Sequence, residues 1–567
     1  MDIYNLENIS PFSKEPVQEA DFNTWVQQKD VLPFLQREIK DENIIIYAAL
    51  PFAFIHAVLI PNVKMEKSII DDLLLWSHNP YSTWGLAVSS DDAWIEGPLA
   101  NSGSKTLGKG EQIIFARSFE GVESRRHYFE LEQKISHVLD LHYMSECNAW
   151  CRLDKMGDIE EIVKIIELSD LPNRESGTII TFNQKVLGEY TGVGNYALCR
   201  MFDFTRYRRG DFFGWRGENK PVKFGNKKDI FGKIAVYEGY GSYSRGIQVK
   251  NIGVPKEKII NDPWGRSSSE ETKQYATFIA LDWKNKRIAE ISCDPSCLAS
   301  YFVESELPFE TTPAFFKPEV LLKYKSDRDK YQLDDRSISC RGSWYLDTYD
   351  LNEAGQVHTY LIYLSHLSYE EQLHWKQYNE KPKASISKRA YATDFKGEWY
   401  DEYDPLYSLK HKLDELHRAN VGWWTLRGKD ALKKVLYPYT SSPDEWADEI
   451  LNLDQLVVEG FEEKWLRQKA KELGRTPDLK LRELKLIEEC LIGVGFEEDH
   501  AYKIMSPFHE VHNLRSVLKG HTAGSEAEEM KKEALKKFSS FNQHFKDLCA
   551  RCDESLSVII ETFSKHQ

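Results

Sequence analysis

Arg515 and His521 are separated by five residues close to the predicted end of a helix. An arginine guanidinium binds a phosphate through charge-assisted hydrogen bonds, and a histidine imidazole exchanges a proton near neutral pH. Together they would suffice to cleave RNA without a metal ion, because the 2′-hydroxyl of the substrate supplies the nucleophile. The alternative is that both residues only compensate the dipole at a helix C-terminus, where cations are favoured.

The residues around this pair predict how it is positioned. Ser506 followed by Pro507 is typical of a helix start, and Gly520 is typical of a helix end. Six residues on an unbroken helix correspond to a rotation of about 240°, which would point the two side chains apart. A left-handed turn at Gly520 would redirect the chain and bring His521 back beside Arg515.

This Arg-x5-His spacing within a helical bundle resembles the HEPN superfamily, whose small helical bundles include many ribonucleases of toxin and antiphage systems. The resemblance extends over residues 405–567 and is carried by residues 507–525. It implies that Arg515 stabilises the scissile phosphate, that His521 is the acid/base, and that Ser516 fills the polar position after the arginine. It also implies a cytosolic defence or stress effector, an endoribonuclease acting on single-stranded RNA, whose bundle forms a homodimer. We expect the helix from Pro507 to lie near the dimer axis and to present the apolar residues Phe508, Val511 and Leu518 there.

A second candidate site is the basic-aromatic segment (residues 200–233), in which ten basic residues stand against four acidic ones, with aromatic residues interleaved. Arginine binds phosphates and aromatic rings stack on bases, so this composition predicts a platform for single-stranded RNA or a nucleotide. The alternative is that the rings are core and the basic side chains pair with acidic surface. The residues expected to contact nucleic acid are Arg206, Arg208, Arg209, Trp215 and Arg216.

Nine cysteines in 567 residues predict reduced thiols, as in the cytosol, and not a disulfide framework. The close pairs are Cys147 with Cys151, Cys293 with Cys297, and Cys549 with Cys552. A structural zinc site needs four ligands, and Cys552 lies on an apolar helix stripe, so we expect core packing and no metal. The glycine-rich stretches at 192–194 and 239–246 lack the other residues of a nucleotide-binding loop, so we expect no cofactor.

The alternation of apolar runs and turn signals predicts an α+β fold that ends in an all-α helical bundle. We expect two mixed α/β units, residues 1–155 and 156–390, and then the bundle, residues 404–567. Strands are expected at 177–182, 276–283 and 357–364, helices at 129–141 and 369–378, and a linker at 379–389. The bundle helices are expected to begin at Pro405, Pro443, Pro477, Pro507 and Ser525, the last one continuing for some thirty residues.

The uncharged run from Ile44 to Pro61 is almost long enough to cross a membrane. Pro51 lies near its middle, and His56 follows, which favours two buried strands joined at the proline over a span in lipid. The first fifteen residues contain no basic region followed by an apolar one, so we expect no signal peptide.

The net charge of −15 excludes a protein that coats DNA or other nucleic acid non-specifically, although it allows a local basic patch. Three hypotheses remain. The first is a cytoplasmic effector with a HEPN-like, metal-independent ribonuclease bundle. The second is a non-catalytic nucleic-acid- or nucleotide-binding protein. The third is an adaptor whose bundle is a scaffold. The expected partners are RNA or a nucleotide and a second copy of the chain, without a membrane.

Overall fold

The apolar run from Ile44 to Pro61 forms two neighbouring antiparallel strands, as predicted, with Pro51 in the turn between them. The second of these strands is buried along nearly its whole length, because hydrophobic cores cover both faces of the sheet. A strand that is buried on both faces is continuously apolar and does not alternate, which is why this run looks like a membrane span. No helix in the described parts of the chain is long and apolar enough to cross a membrane.

The computed structural model divides into two units, Met1–Lys273 and Gln274–Gln567. The first is mostly sheet and the second ends in helices, so the fold is α+β, as the sequence predicts. The structure describes residues 15–76, 83–100, 102–120, 125–171, 175–210, 212, 214–215, 219–261, 274–400, 402–428, 430–520 and 525–565.

The first unit is built on an eleven-stranded antiparallel sheet. Its strands, with those of two separate hairpins, are β1 (Asn43–Leu50), β2 (Ala53–Pro61), β3 (Gly85–Val88), β4 (Ala93–Glu96), β5 (Glu111–Gln112), β6 (Ile114–Glu120), β7 (Arg125–Leu131), β8 (His142–Met144), β9 (Ala149–Leu153), β10 (Ile159–Leu171), β11 (Glu175–Asn183), β12 (Tyr196–Tyr207), β13 (Val222–Gly225), β14 (Ile230–Tyr237) and β15 (Gly241–Lys250). The order is β13-β14-β15-β12-β2-β1-β11-β10-β9-β8, with β5 paired to β2, and β3-β4 and β6-β7 form the hairpins. The helices are α1 (Glu19–Trp25), α2 (Val31–Glu38), α3 (Lys67–Leu73), α4 (Gln133–Val138), α5 (Gln184–Gly194) and α6 (Lys256–Asn261).

The second unit begins with a six-stranded sheet, in the order β17-β16-β18-β23-β22 with β24 paired to β18, and a three-stranded sheet, β19-β20-β21. The strands are β16 (Thr277–Asp282), β17 (Arg287–Ser292), β18 (Pro313–Phe316), β19 (Tyr331–Leu333), β20 (Ile338–Cys340), β21 (Trp344–Leu346), β22 (Asp350–Leu351), β23 (Val357–Tyr360) and β24 (Asn379–Glu380). The helices are α7 (Leu322–Ser326), α8 (Leu361–His366), α9 (Tyr369–Tyr378) and α10 (Lys388–Ala390), followed by a π-helical segment (Tyr391–Lys396).

The helical bundle that follows shares one hydrophobic core. Its helices are α11 (Pro405–Ala419), α12 (Ala431–Lys434), α13 (Pro443–Val457), α14 (Glu463–Glu472), α15 (Glu483–Gly493), α16 (Glu498–Gly520), α17 (Ser525–Phe538) and α18 (Phe541–Lys565). Two predicted starts are confirmed by their caps. The side chain of Asp404 accepts a hydrogen bond from the N–H of Tyr407, and that of Ser442 accepts one from the N–H of Glu445.

The predicted helix start at Ser506 and Pro507 is wrong, because α16 begins at Glu498 and Pro507 lies inside it. A proline inside a helix has no N–H to donate to the carbonyl four residues before it. Here that carbonyl belongs to Lys503, and it accepts a hydrogen bond from the Ser506 hydroxyl at 3.0 Å. The serine therefore supplies the hydrogen bond that the proline lacks, and α16 continues to Gly520, after which residues 521–524 lie outside the described part of the chain.

Four other predicted boundaries also differ. The helix expected to begin at Pro477 begins at Glu483, because Asp478 forms a turn in which its side chain accepts a hydrogen bond from the N–H of Lys480. The helix predicted from residue 525 is interrupted at Ser539, whose φ of 63° is left-handed, so it splits into α17 and α18. The helix predicted at 129–141 is the end of β7 followed by α4. The strand predicted at 357–364 ends at Tyr360, where α8 begins. The helix predicted at 369–378 and the hairpin that begins at residue 277 are confirmed.

The expected unit boundary near residue 155 falls in the turn between β9 and β10, which pair in the same sheet. The structure instead divides between Lys273 and Gln274. The predicted linker at 379–389 is part of the second unit, because β24 pairs with β18 and Arg389 binds Asp350. Polar composition suggested a linker, but these polar groups are bound to neighbouring elements.

Candidate functional site

The side chain of Asp454 is almost completely buried between two bundle helices, with 1% of it exposed. It lies on α13, which begins with Ser442 as its cap and Pro443 in its first turn. The apolar stripe of α13 packs into the bundle core and takes Asp454 inward with it. A buried carboxylate is unfavourable unless it is paired, so the groups that surround it define the site.

His512 and Arg515 of α16 both lie against this carboxylate. They are three residues apart on one face of the helix, the spacing at which side chains are neighbours. Nδ1 of His512 is 3.1 Å from Oδ1 of Asp454, and Nε of Arg515 is 3.7 Å from Oδ2. Half of the His512 side chain (51%) and 38% of that of Arg515 are exposed. One buried carboxylate therefore holds an imidazole and a guanidinium side by side at the surface.

Two further ion pairs fix the end of α16 beside α13. Nζ of Lys519 is 2.6 Å from Oδ1 of Asp448, and Nη2 of Arg515 is 4.0 Å from Oε1 of Glu459. The later residues of α16 thus contact the earlier residues of α13, so the two helices run antiparallel here. We call Asp454, Glu459, His512 and Arg515 the Asp454 cluster.

Burial raises the pKa of Asp454, and Glu459 acts in the same direction, whereas His512 and Arg515 oppose the rise. Oδ2 of Asp454 accepts no hydrogen bond from the described residues. The carboxylate therefore depends on the two basic side chains to remain charged. Conversely, it fixes where those side chains lie.

The arrangement has the parts of a proton-transfer and anion-binding site. With the Nδ1 hydrogen of His512 donated to Asp454, Nε2 retains a lone pair that can accept a proton. The guanidinium of Arg515 beside it has donors for a phosphate oxygen. Among the described residues, no group of three or more acidic, histidine or cysteine side chains could hold a metal ion.

The structure places only part of the predicted Arg/His pair. Arg515 is on the last two turns of α16, and Ser516, directly after it, is partly buried. His521 lies outside the described residues, so the predicted contact between His521 and Arg515 stays a prediction. Sequence analysis selected neither Asp454 nor His512 as a site residue. The spacing from His512 to Arg515 on one helix face was the available signal.

Arg206 and Arg208 of the basic-aromatic segment are bound to acidic side chains, whereas a nucleic-acid platform would need them to be exposed. The Arg206 side chain is fully buried, and its guanidinium binds Asp30 at 2.7 Å and the carbonyl of Trp25 at 2.5 Å. Arg208 binds Glu19 at 2.8 Å, with its guanidinium 3.9 Å from the ring centre of Phe22. These two arginines therefore attach α1 and its flanking residues to the sheet, and Arg206 is not available to a phosphate.

Of the three remaining residues predicted to contact nucleic acid, the structure describes Arg209 and Trp215. The guanidinium of Arg209 lies 4.6 Å from the ring centre of Phe52. Trp215 is 39% exposed and packs edge-on against Phe212. Arg216 lies outside the described residues. Among its described residues, the exposed cations of the segment are instead lysines, namely Lys220, Lys223, Lys227, Lys228 and Lys233.

The cysteine pairs occupy different environments. Cys549 and Cys552 are fully buried in the bundle core, and burial raises the pKa of both thiols. Cys293 is buried and Cys297 is exposed. The sulfur atoms of Cys147 and Cys151 are 3.6 Å apart, within hydrogen-bond distance, and form no disulfide.

Comparison of the chain with known protein families, with curated proteins and with solved structures finds no match.

Proposed function

We propose that this protein cleaves single-stranded RNA without a metal ion at the Arg515 end of its helical bundle. The observation that carries the proposal is the Asp454 cluster, in which one buried carboxylate holds His512 and Arg515 together at the surface. The proximity in sequence supports the same idea, since His521 comes six residues after Arg515 and nine after His512. Every group that transesterification requires would then lie within one short stretch of chain.

In the proposed reaction, one histidine accepts the proton of a 2′-hydroxyl as its oxygen attacks the adjacent phosphorus. Arg515 stabilises the charge that develops on the phosphate oxygens. The bond to the 5′-oxygen breaks, and a second histidine donates a proton to that oxygen. The products are a 2′,3′-cyclic phosphate and a free 5′-hydroxyl. His512 and His521 are the two candidates for the proton-transfer roles, and Ser516 is a candidate hydrogen-bonding group beside them.

A homodimer is the second way to bring two histidines to one phosphate, and we keep it as part of the proposal because two-fold dimers are the commonest oligomers. The interface expected from the sequence requires revision. Phe508, Val511 and Leu518 were expected to present an apolar face to a partner, but all three are buried in the core of the same bundle. A dimer would have to use other, more polar surface near the Asp454 cluster.

The second candidate function is binding of RNA or a nucleotide without cleavage. The exposed lysines of the basic-aromatic segment, together with the partly exposed Trp215, favour it. Lysines bind phosphates, and an indole ring stacks on bases. The two functions are compatible, because such a surface would retain a strand that the bundle cuts. We propose that either function serves a cytosolic defence or stress response. If the protein neither cleaves nor binds RNA or a nucleotide, the scaffold hypothesis is favoured.

A cleavage assay in excess EDTA tests the proposal. Single-stranded RNA should be cut, and Arg515→Ala, His512→Ala and His521→Ala should each lower the rate by at least about 100-fold. Two control variants on exposed helix surface, Arg418→Ala and His500→Ala, should leave the rate unchanged. Cleavage that requires a divalent ion, or that survives the loss of Arg515, contradicts the proposal.

A further inference from the structure

A large cleft lies within the second unit, between its sheet-containing part and the first residues of the helical bundle. Its volume is about 1830 Å³, larger than the range of about 300–1,000 Å³ typical of small-ligand pockets. Residues from 324–335, 350–355 and 387–389 line one wall, and residues from 402–410, 430–441 and 535–546 line the other. It can therefore hold a ligand longer than a single metabolite.

Two cations of the first wall, Arg389 and Lys325, are paired with carboxylates. The guanidinium of Arg389 binds Asp350 at 2.8 Å and Asp335 at 2.5 Å. Lys325 binds two buried carboxylates, those of Glu445 at 2.6 Å and Glu449 at 2.8 Å. The ion pairs of Lys325 join the sheet-containing part to α13, and both cations are already neutralised by carboxylates.

The bundle wall carries cations without such partners. In the described part of the chain, no carboxylate lies within 4 Å of the ammonium groups of Lys410, Lys433, Lys434 or Lys546. Lys433, Lys434 and Lys546 are exposed, and Lys410 is partly buried. Nζ of Lys410 donates to the carbonyl of Val435 at 2.5 Å. Burial lowers the pKa of Lys410 even though Glu449 and Asp404 act in the opposite direction.

Contacts of Tyr437 show that these lysines lie near one another. Its hydroxyl accepts a hydrogen bond from the N–H of Leu406 and donates one to Asp404, so it lies against the first turn of α11. Lys410 is one turn further along the same helix. From the other side, Nζ of Lys546 lies 5.1 Å from the centre of the Tyr437 ring. Lys410 and Lys546 therefore flank the short stretch that joins Lys434 to Tyr437.

Exposed aromatic rings line the same wall. Tyr403 is 59% exposed and Tyr407 is 70% exposed, and both contribute to the cleft. Lysines bind phosphate groups as point charges, and an exposed tyrosine ring offers a face on which a base can stack. Unpaired lysines beside exposed tyrosines form the combination that a nucleoside phosphate requires.

We propose that this cleft binds a nucleoside phosphate, with the phosphates at Lys410, Lys434 and Lys546 and the base on Tyr403 or Tyr407. The ligand is either a free nucleotide or part of an RNA strand, which have this chemistry in common. The proposal does not depend on RNA cleavage, because the cleft and the Asp454 cluster have no residue in common.

Binding of two probes to the full chain tests the site, and calorimetry is a suitable measurement. The probes are ATP and a ten-nucleotide 2′-O-methyl RNA, which cannot be cut through its 2′-oxygen. At least one of them should bind, and the double variant Lys434→Glu/Lys546→Glu should weaken that binding at least tenfold. Both side chains are exposed and unpaired, so the variant should fold normally. Lys480→Glu, a matched charge reversal on exposed surface, should bind like the original chain.

The identity of the probe that binds distinguishes the two sources. Binding of ATP assigns the cleft to a free nucleotide, and binding of the RNA alone assigns it to a strand. Tyr407→Ala should weaken whichever probe binds, because it removes a stacking surface. If neither probe binds at millimolar concentration, or if the double variant binds unchanged, the proposal is overturned.

Discussion

Arginines of the sheet unit and of the helical bundle are used in opposite ways. Arg200 and Arg206 are completely buried, the first paired with the buried carboxylate of Glu38 and the second with Asp30. Arg515 is paired just as specifically, yet 38% of its side chain remains exposed beside the half-exposed His512. The basic-aromatic segment is richer in arginine than the end of α16, yet Arg206 in that segment is less exposed than Arg515. A single arginine at a helix end, with a buried acid behind it, is the better candidate for binding a phosphate.

The largest expected difference is in the free energy of unfolding, between variants of the buried Arg200 and of the partly exposed Arg515. Arg200→Ala leaves the carboxylate of Glu38 buried and unpaired, so it should lower the free energy of unfolding by about 3–5 kcal/mol. Arg515→Ala removes a guanidinium that is 38% exposed and 3.7 Å from Asp454, while His512 still contacts that carboxylate, so the free energy of unfolding should change by no more than about 1 kcal/mol. Urea unfolding of both variants measures this contrast. Similar losses in the two variants would mean that Arg515 is a structural residue.

Salt dependence of RNA affinity should separate the exposed from the buried cations of the basic-aromatic segment. Replacing Lys223, Lys227 and Lys228 together by Ala should reduce the slope of log affinity against log salt by up to about 2, since each phosphate contact on a single strand contributes about 0.7. Arg208→Ala should leave the slope unchanged, because Glu19 and Phe22 hold that side chain. The opposite pattern would restore the arginines as the binding surface.

Two aspartates of the second unit should respond to pH with opposite signs, which is the smallest expected effect. Burial raises the pKa of Asp454 above 3.8, so the folded state takes up its proton first, and the contribution of this residue to stability grows as the pH falls through that pKa. Burial alone would also raise the pKa of Asp350, but Arg389 and Ser387 lower it. The contribution of Asp350 is therefore complete above 3.8 and is lost as the pH falls through the lowered pKa.

Unfolding free energies of Asp454→Asn and Asp350→Asn, each compared with the original chain between pH 7 and pH 3.5, measure these signs. The advantage of the original chain over Asp454→Asn should increase towards acid, and its advantage over Asp350→Asn should decrease. Parallel trends would mean that the two carboxylates are equally well paired, and that Asp454 is an ordinary ion-pair partner.

Local signals in the sequence predicted much of the fold. Asp404 and Ser442 each cap a helix through the N–H three residues later, so the cap and the helix lie in one short segment. The helix start predicted at Pro507 was wrong for a similarly local reason, since the adjacent Ser506 supplies the missing hydrogen bond to Lys503. Caps and prolines thus predict helix ends well, except where a neighbouring side chain replaces a lost backbone donor.

The candidate site could be predicted only in part, because its key contact is distant in sequence. His512 and Arg515 are visible as neighbours on a helix, but Asp454 lies 58 residues before His512. The burial of Arg206 depends in the same way on Asp30, which is 176 residues away. Composition identifies which residues could bind an anion. Only the packing of distant helices and strands decides which of them remain at the surface.

The measurement that tests the central claim most directly is cleavage of two matched strands in EDTA. One is a single-stranded RNA, and the other has the same sequence with every 2′-hydroxyl methylated. The account predicts that the full chain cuts the first strand to fragments ending in a 2′,3′-cyclic phosphate, detected by mass spectrometry, and leaves the second intact. Cutting of the methylated strand, or fragments that carry a 5′-phosphate, would contradict it, because the 2′-oxygen would then not be the nucleophile.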